Sequence, residues 1–125
     1  MACFLVPGAE ALVVTGVKKS IEKKATSGEL TAGEAESKLE LVQKLTWLTN
    51  LLWGGVVLLA FEHLWHGEIA ATFPFLTAAE NPADLQAALI EMGTVGVGMA
   101  VLVTAVWAIG VAVVRQIRAR DVSVA

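Results

Sequence analysis

A chain of 125 residues makes one domain; this one is 56% hydrophobic, 17% charged, with four Trp and no Tyr, and its mean hydropathy is +0.68. That balance excludes an ordinary water-soluble domain and points to the membrane class, in which apolar blocks use lipid as their solvent. The net charge of −3 hides a sorting: every Lys and Arg lies within 18–44 or 115–120, and residues 45–114 carry none.

Residues 2–17 form a first apolar segment interrupted only by Glu10. It lacks the basic start of a cleaved secretory signal, so it reads as a retained membrane segment. Sixteen residues of helix rise about 24 Å, less than the ~30 Å hydrocarbon layer, so this segment either spans with snorkelling and local thinning of the bilayer or forms a re-entrant or interfacial element. Pro7 falls in the first turns, where a missing backbone donor costs least. Cys3 is the single cysteine, which excludes an intrachain disulfide.

Residues 18–44 read as a polar helical hairpin. Its first arm continues the first helix and breaks at Ser27-Gly28. Its second arm begins at Thr31-Ala-Gly-Glu34, the spacing of a capping box, in which the Thr hydroxyl and the Glu carboxylate satisfy free amides reciprocally. Ala35, Leu39, Val42 and Leu45 then recur at helical spacing, so this amphipathic arm feeds directly into the next segment. Six lysines share the hairpin with Glu22, Glu29, Glu34, Glu36 and Glu40, which blunts any phosphate-seeking field and argues against nucleic acid as a partner.

Residues 45–65 are the second span, with Trp47 and Trp65 near opposite ends as interfacial anchors sit. Residues 66–91 are an outer loop. It carries Phe73-Pro74-Phe75, expected at the interface, and a helix start at Asn81-Pro82-Ala83-Asp84, with Asn as cap and Pro at the first helical position. Residues 92–114 are a third, uncharged span, closed by Arg115, Arg118 and Arg120. Basic residues stay cytoplasmic, so the N-terminus lies outside and the C-terminus inside, in the cell's cytoplasmic (inner) membrane. The expected fold is an all-α integral membrane protein with three transmembrane helices and a cytoplasmic helical hairpin between helices 1 and 2.

Three constellations bear on function. The first is Glu62, His63, His66 and Glu68, whose imidazoles and carboxylates within two turns could hold a divalent metal. The order matches neither H-E-x-x-H nor H-x-x-E-H, so the metalloprotease readings fail. A bis-His haem needs a second imidazole from another helix, and the chain has no further histidine, so haem requires an oligomer or a partner. The plain alternative is a hydrogen-bonded cluster that ends the helix. The second constellation is Glu10, an acidic group at membrane depth where charge is costly; Asn50, Gly54, Leu58, Glu62 and His66 form an i+4 stripe on the second span that could face it. That seam either relays protons or ions or simply joins helices. The third is Gly96, Ala100, Thr104, Ala108 and Ala112, small residues every four positions that let helices approach closely in lipid. Gly93 and Gly98 widen that face, and Gly54-Gly55 repeats the signal on the second span.

No nucleophile set, Cys/His metal box or phosphate loop is present, so the chain is not expected to be an enzyme. The leading expectation is an accessory or structural subunit, or a homo-oligomer, in a membrane complex, with lipid and other membrane subunits or further copies as partners. Two alternatives are an oligomer conducting ions or protons through Glu10, Asn50 and Glu62, and a redox subunit binding metal or haem at His63 and His66.

Overall fold

The computed structural model describes residues 3–69, 71 and 77–124, and these fold as helices and their connections with no sheet among them. The first helix, α1, runs Leu5–Thr26. Pro7 lies in its opening turn, and Lys23 and Lys24 occupy its last, where cations complement the free carbonyls. It ends at Ser27, and Gly28 takes φ +76°, a left-handed conformation that closes helices at low steric cost only for glycine.

The second helix, α2, spans Ala32–Trp65 without interruption. Its start is set by Thr31, whose amide donates to Glu34 Oε2 at 3.1 Å and whose hydroxyl donates to the same oxygen at 2.7 Å. Its 34 residues make a rod of about 51 Å, so the polar arm and the apolar span are one element. The rod stops at His66, and Gly67 takes φ +72°. Thr77 then donates its amide to the Glu68 carbonyl at 3.2 Å, drawing the two ends of the connecting loop together. Phe73-Pro74-Phe75, expected at an interface, lies outside the described residues.

A short 3-10 turn, Thr77–Glu80, precedes α3, Pro82–Glu91. Asn81 Oδ1 accepts from the Ala83 amide at 3.1 Å, Pro82 opens the helix and Asp84 sits in its first turn. The axis does not stop at Glu91. It passes through one turn of π-helix, Met92–Gly96, and continues as α4, Val97–Val124. The glycine-rich stretch at the start of the third span is therefore an irregular turn inside one helical rod from 82 to 124.

α1 folds back along α2, and α4 lies against both. Ala11, Leu48 and Leu52 are buried where they meet, with Val14, Val103 and Trp107 packed over them. Trp107 Nε1 donates to the Lys44 carbonyl at 2.7 Å and ties α4 to α2. Leu52 is the one large side chain fully buried among the described residues. The apolar residues otherwise point outward, as with Leu58 at 73% and Ile109 at 65% exposure. Two helices are long and apolar enough to cross a membrane, Ala32–Trp65 and Pro82–Val124, with 22% and 6% of their apolar stretches buried within the chain. α1 is not among them. Its apolar part is short and contains Glu10.

Candidate functional site

Where α1 begins and α2 and α3 end, three chemically active side chains converge on one cavity of about 360 Å³. Cys3 comes from the turn before α1, His63 from the last turn of α2 and Glu91 from the last residue of α3. Their ligating atoms all lie within 4.8 Å of one another. Cys3 and His63 are buried, at 4% and 5% exposure, and Cys3 Sγ stands 3.6 Å from His63 Nε2.

The orientation of His63 follows from its other nitrogen. Nδ1 lies 2.6 Å from the carbonyl oxygen of Leu59, one turn back on the same helix. A carbonyl can only accept, so Nδ1 carries the proton, and in the neutral ring Nε2 presents its lone pair to the cavity. Phe4 packs edge-on against the ring, with centroids 5.3 Å apart at 70°, and Glu68 Oε2 approaches Nε2 to 3.7 Å.

Backbone features beneath this cluster hold it in place. A Cβ on Gly96 would come within 2.9 Å of both the Cys3 carbonyl oxygen and Val6 Cγ2. Only a residue without a side chain lets the start of α1, and Cys3 with it, settle on the rod of α3 and α4. The π-turn begins directly after Glu91. An extra residue in a helical turn rotates α3 about the rod axis relative to α4, and such turns often mark functional positions.

Of the sequence-derived metal candidates, His63 is central, while Glu62, His66 and Glu68 line the same cavity; Glu62 and His66 are exposed. Cys3 and Glu91 were not among those candidates. Neither shares a helix with His63, so no local spacing could connect them. Around His63 Nε2, Cys3 Sγ lies at 3.6 Å and Glu68 Oε2 at 3.7 Å.

Glu10 lies elsewhere. Its Oε1 accepts from Thr104 Oγ1 at 2.6 Å, so the half-buried carboxyl meets α4 and not the polar seam expected on α2. Asn50 and Glu62 are exposed on α2, and no hydrogen bond joins them to Glu10 among the described residues. The small-residue stripe divides in two: Gly96 and Ala100 are buried, Thr104 is half-buried, and Ala108 and Ala112 are exposed. Nothing lies within 4 Å of a Cβ added at Gly54, Gly55, Gly93 or Gly98, so within one chain these glycines serve no close approach.

Comparison with protein-family models, with curated proteins and with solved structures found no match.

At the opposite end of the bundle, Glu40 on α2 lies 3.2 Å from Lys44 Nζ and 3.7 Å from the Arg118 guanidinium on α4. A cleft lined by Glu40, Lys44, Trp47, Arg115 and Arg118 opens there. The two basic clusters, far apart in sequence, thus share one end of the molecule, while Glu62, Glu68 and Glu91 gather at the other.

Proposed function

We propose that this chain is an integral protein of the cytoplasmic membrane, crossed by α1, α2 and α4 with the N-terminus outside and the C-terminus inside, and that it works as a non-enzymatic subunit of a membrane assembly. The grouping of all basic side chains at one end supports that orientation, since Lys and Arg remain cytoplasmic. The outward-facing Leu, Val and Ile of α2 and α4 support lipid as the surrounding solvent.

One observation carries the assembly reading. Glu10 sits partway along α1, half-buried, beside an open groove on α4 lined by Val97, Ala100, Val101, Thr104, Ala105 and Ala108. A carboxyl at such depth is expensive when lipid is its neighbour. Thr104 supplies one hydrogen bond, and the stretch 45–114 holds no cation to pair with it. A further helix laid along the groove would cover the carboxyl and fill the notch that Ala105 and Ala108 leave, gaining dispersion contacts that lipid supplies less well. We take that helix to come from a second copy of this chain. Ion conduction through Glu10, Asn50 and Glu62 has weaker support, because Glu10 bonds to Thr104 on α4 while Asn50 and Glu62 are exposed on α2.

Cross-linking in native membranes, followed by sizing in mild detergent, tests this. The wild type should run as a multimer, and Ala108→Leu should shift it toward the single chain while keeping its helical content. A wild type that yields only single chains in both measurements would end the reading. A cross-linked product containing a different protein would replace the second copy with that partner.

A further inference from the structure

We propose that Cys3, His63 and Glu91 form a binding site for a borderline-soft divalent cation of the Zn²⁺ class, held between the start of α1 and the ends of α2 and α3. The inference is independent of whether the chain assembles.

The donor set selects the cation class. One sulfur, one imidazole nitrogen and one carboxylate oxygen suit Zn²⁺, whereas Ca²⁺ and Mg²⁺ require shells of oxygen. The spacing agrees. With Zn–S near 2.3 Å and Zn–N near 2.0–2.1 Å, the sulfur-to-nitrogen edge of a tetrahedron is about 3.5 Å, and Cys3 Sγ and His63 Nε2 are 3.6 Å apart. Glu91 brings a carboxylate oxygen within 4.8 Å of both, close enough for the cation to draw it to the third corner.

The tautomer argument is separate from the spacing. Histidines that bind metal through one nitrogen generally donate the other to a carbonyl or carboxylate, which fixes the ring and makes it more basic. The Leu59 carbonyl does this for Nδ1 at 2.6 Å, and Phe4 holds the ring plane from the side. A thiol–imidazole hydrogen bond alone would explain the contact between Cys3 and His63. The metal reading adds a carboxylate from a third element, Glu91, whose oxygen lies within 4.8 Å of both atoms, directly before an irregular turn and over a glycine that admits the Cys3 backbone.

Three protein ligands leave a fourth position, which opens to the cavity lined by Glu62, His66 and Glu68. Open fourth positions characterise sites that exchange water or another ligand, whereas sealed structural sites use four protein ligands. The cation therefore binds reversibly, and it links three helix ends whose ligands are separated by 60 and 28 positions in sequence. Because the unfolded chain offers no such site, binding stabilises the folded state.

Titration of the full-length protein in detergent with Zn²⁺ and with Co²⁺ tests the assignment. One cation per chain should bind, Zn²⁺ should raise the melting temperature, and bound Co²⁺ should show the sulfur-to-metal charge-transfer band of a thiolate complex. Cys3→Ser should abolish that band. His63→Ala and Glu91→Gln should each weaken binding at least about tenfold, the smallest loss usual even for outer-shell partners, and His66→Ala should leave it within about twofold. A cobalt spectrum without the thiolate band, or wild-type affinity in Cys3→Ser, would overturn the proposal. Equal losses in His66→Ala and His63→Ala would overturn it in favour of a site local to the end of α2. Because a variant can fold poorly, maleimide labelling of Cys3 is compared with and without Zn²⁺ within each protein. Zn²⁺ should slow labelling of the wild type but not of His63→Ala or Glu91→Gln, and an unprotected wild-type thiol would refute the site.

Discussion

Gly96 has room for a hydrogen and nothing more on the side facing α1. A methyl group there would press within 2.9 Å of the Cys3 carbonyl oxygen, a backbone atom that moves only with α1 itself. Gly96→Ala should therefore cost about 1–3 kcal/mol, the usual range for overpacking a tight contact, read as a lower unfolding midpoint in detergent. Gly54 and Gly55 are the opposite case, because an added Cβ meets nothing within 4 Å. Each Gly→Ala change there removes a flexible residue from a helix interior, and the isolated chain should gain about 0.5–1 kcal/mol. A loss of stability in the isolated chain would contradict the packing described. In sequence these glycines look alike, since small-residue spacing marks faces fit for close approach without naming which are used. Trp107 adds a third test: Trp107→Phe keeps an aromatic ring beside Leu48 and Leu52 but removes the donor to Lys44. About 0.5–1.5 kcal/mol should be lost, and an unchanged melting curve would show that bond to be replaced by solvent.

At the scale of elements, helix starts were legible because the chemistry that sets them is local. Thr31 and Glu34 are three residues apart, and Asn81 caps the Ala83 amide two positions on. These contacts need no tertiary partner, so residue order alone reveals them. The same locality makes one of them sensitive to pH. Glu34 lies below the ordinary glutamate range, chiefly because the Thr31 hydroxyl and then its amide donate to the carboxylate. A carboxyl depressed by folding stabilises the fold above its unfolded value of about 4.3, and the contribution fades as pH falls through the lower folded value. A carbon-13 titration of Glu34 should show a midpoint below the ordinary glutamate range, and Thr31→Ala should move it upward. An unchanged Glu34 midpoint in Thr31→Ala would remove the capping box as the cause. The π-turn at Met92–Gly96 was not legible. Glycines at 93, 96 and 98 signal irregularity or close packing without saying which, and α1 packs against Gly96 at the end of the turn.

For the whole molecule, charge sorting was the most readable feature and the convergent cluster the least. The basic residues of 18–44 and 115–120 are visible as two blocks, and folding brings them together, with Arg118 within 3.7 Å of Glu40. Cys3, His63 and Glu91 meet only because α1 folds back on α2 while α3 and α4 form one rod, a result of packing that no spacing rule contains. The arrangement makes the molecule electrically lopsided along its long axis: every cation lies, among carboxylates such as Glu36 and Glu40, at the end where α1 leaves and α2 enters, and Glu62, Glu68, Glu91 and both histidines lie at the other. In the proposed orientation the first end is cytosolic. Single cysteines placed in a Cys3→Ser background at Ser37, Glu80 and Ser123, all exposed, report this directly. A membrane-impermeant maleimide applied to intact cells whose outer barrier is opened should label Glu80→Cys alone, and Ser37→Cys and Ser123→Cys only after the inner membrane is permeabilised. Labelling of Ser37→Cys and Ser123→Cys from outside would invert the molecule. Labelling of Ser37→Cys alone would mean that α2 and α4 do not return the chain to the same side, which the contact between Glu40 and Arg118 forbids in a single copy; that result would refute the helix arrangement as well as its orientation.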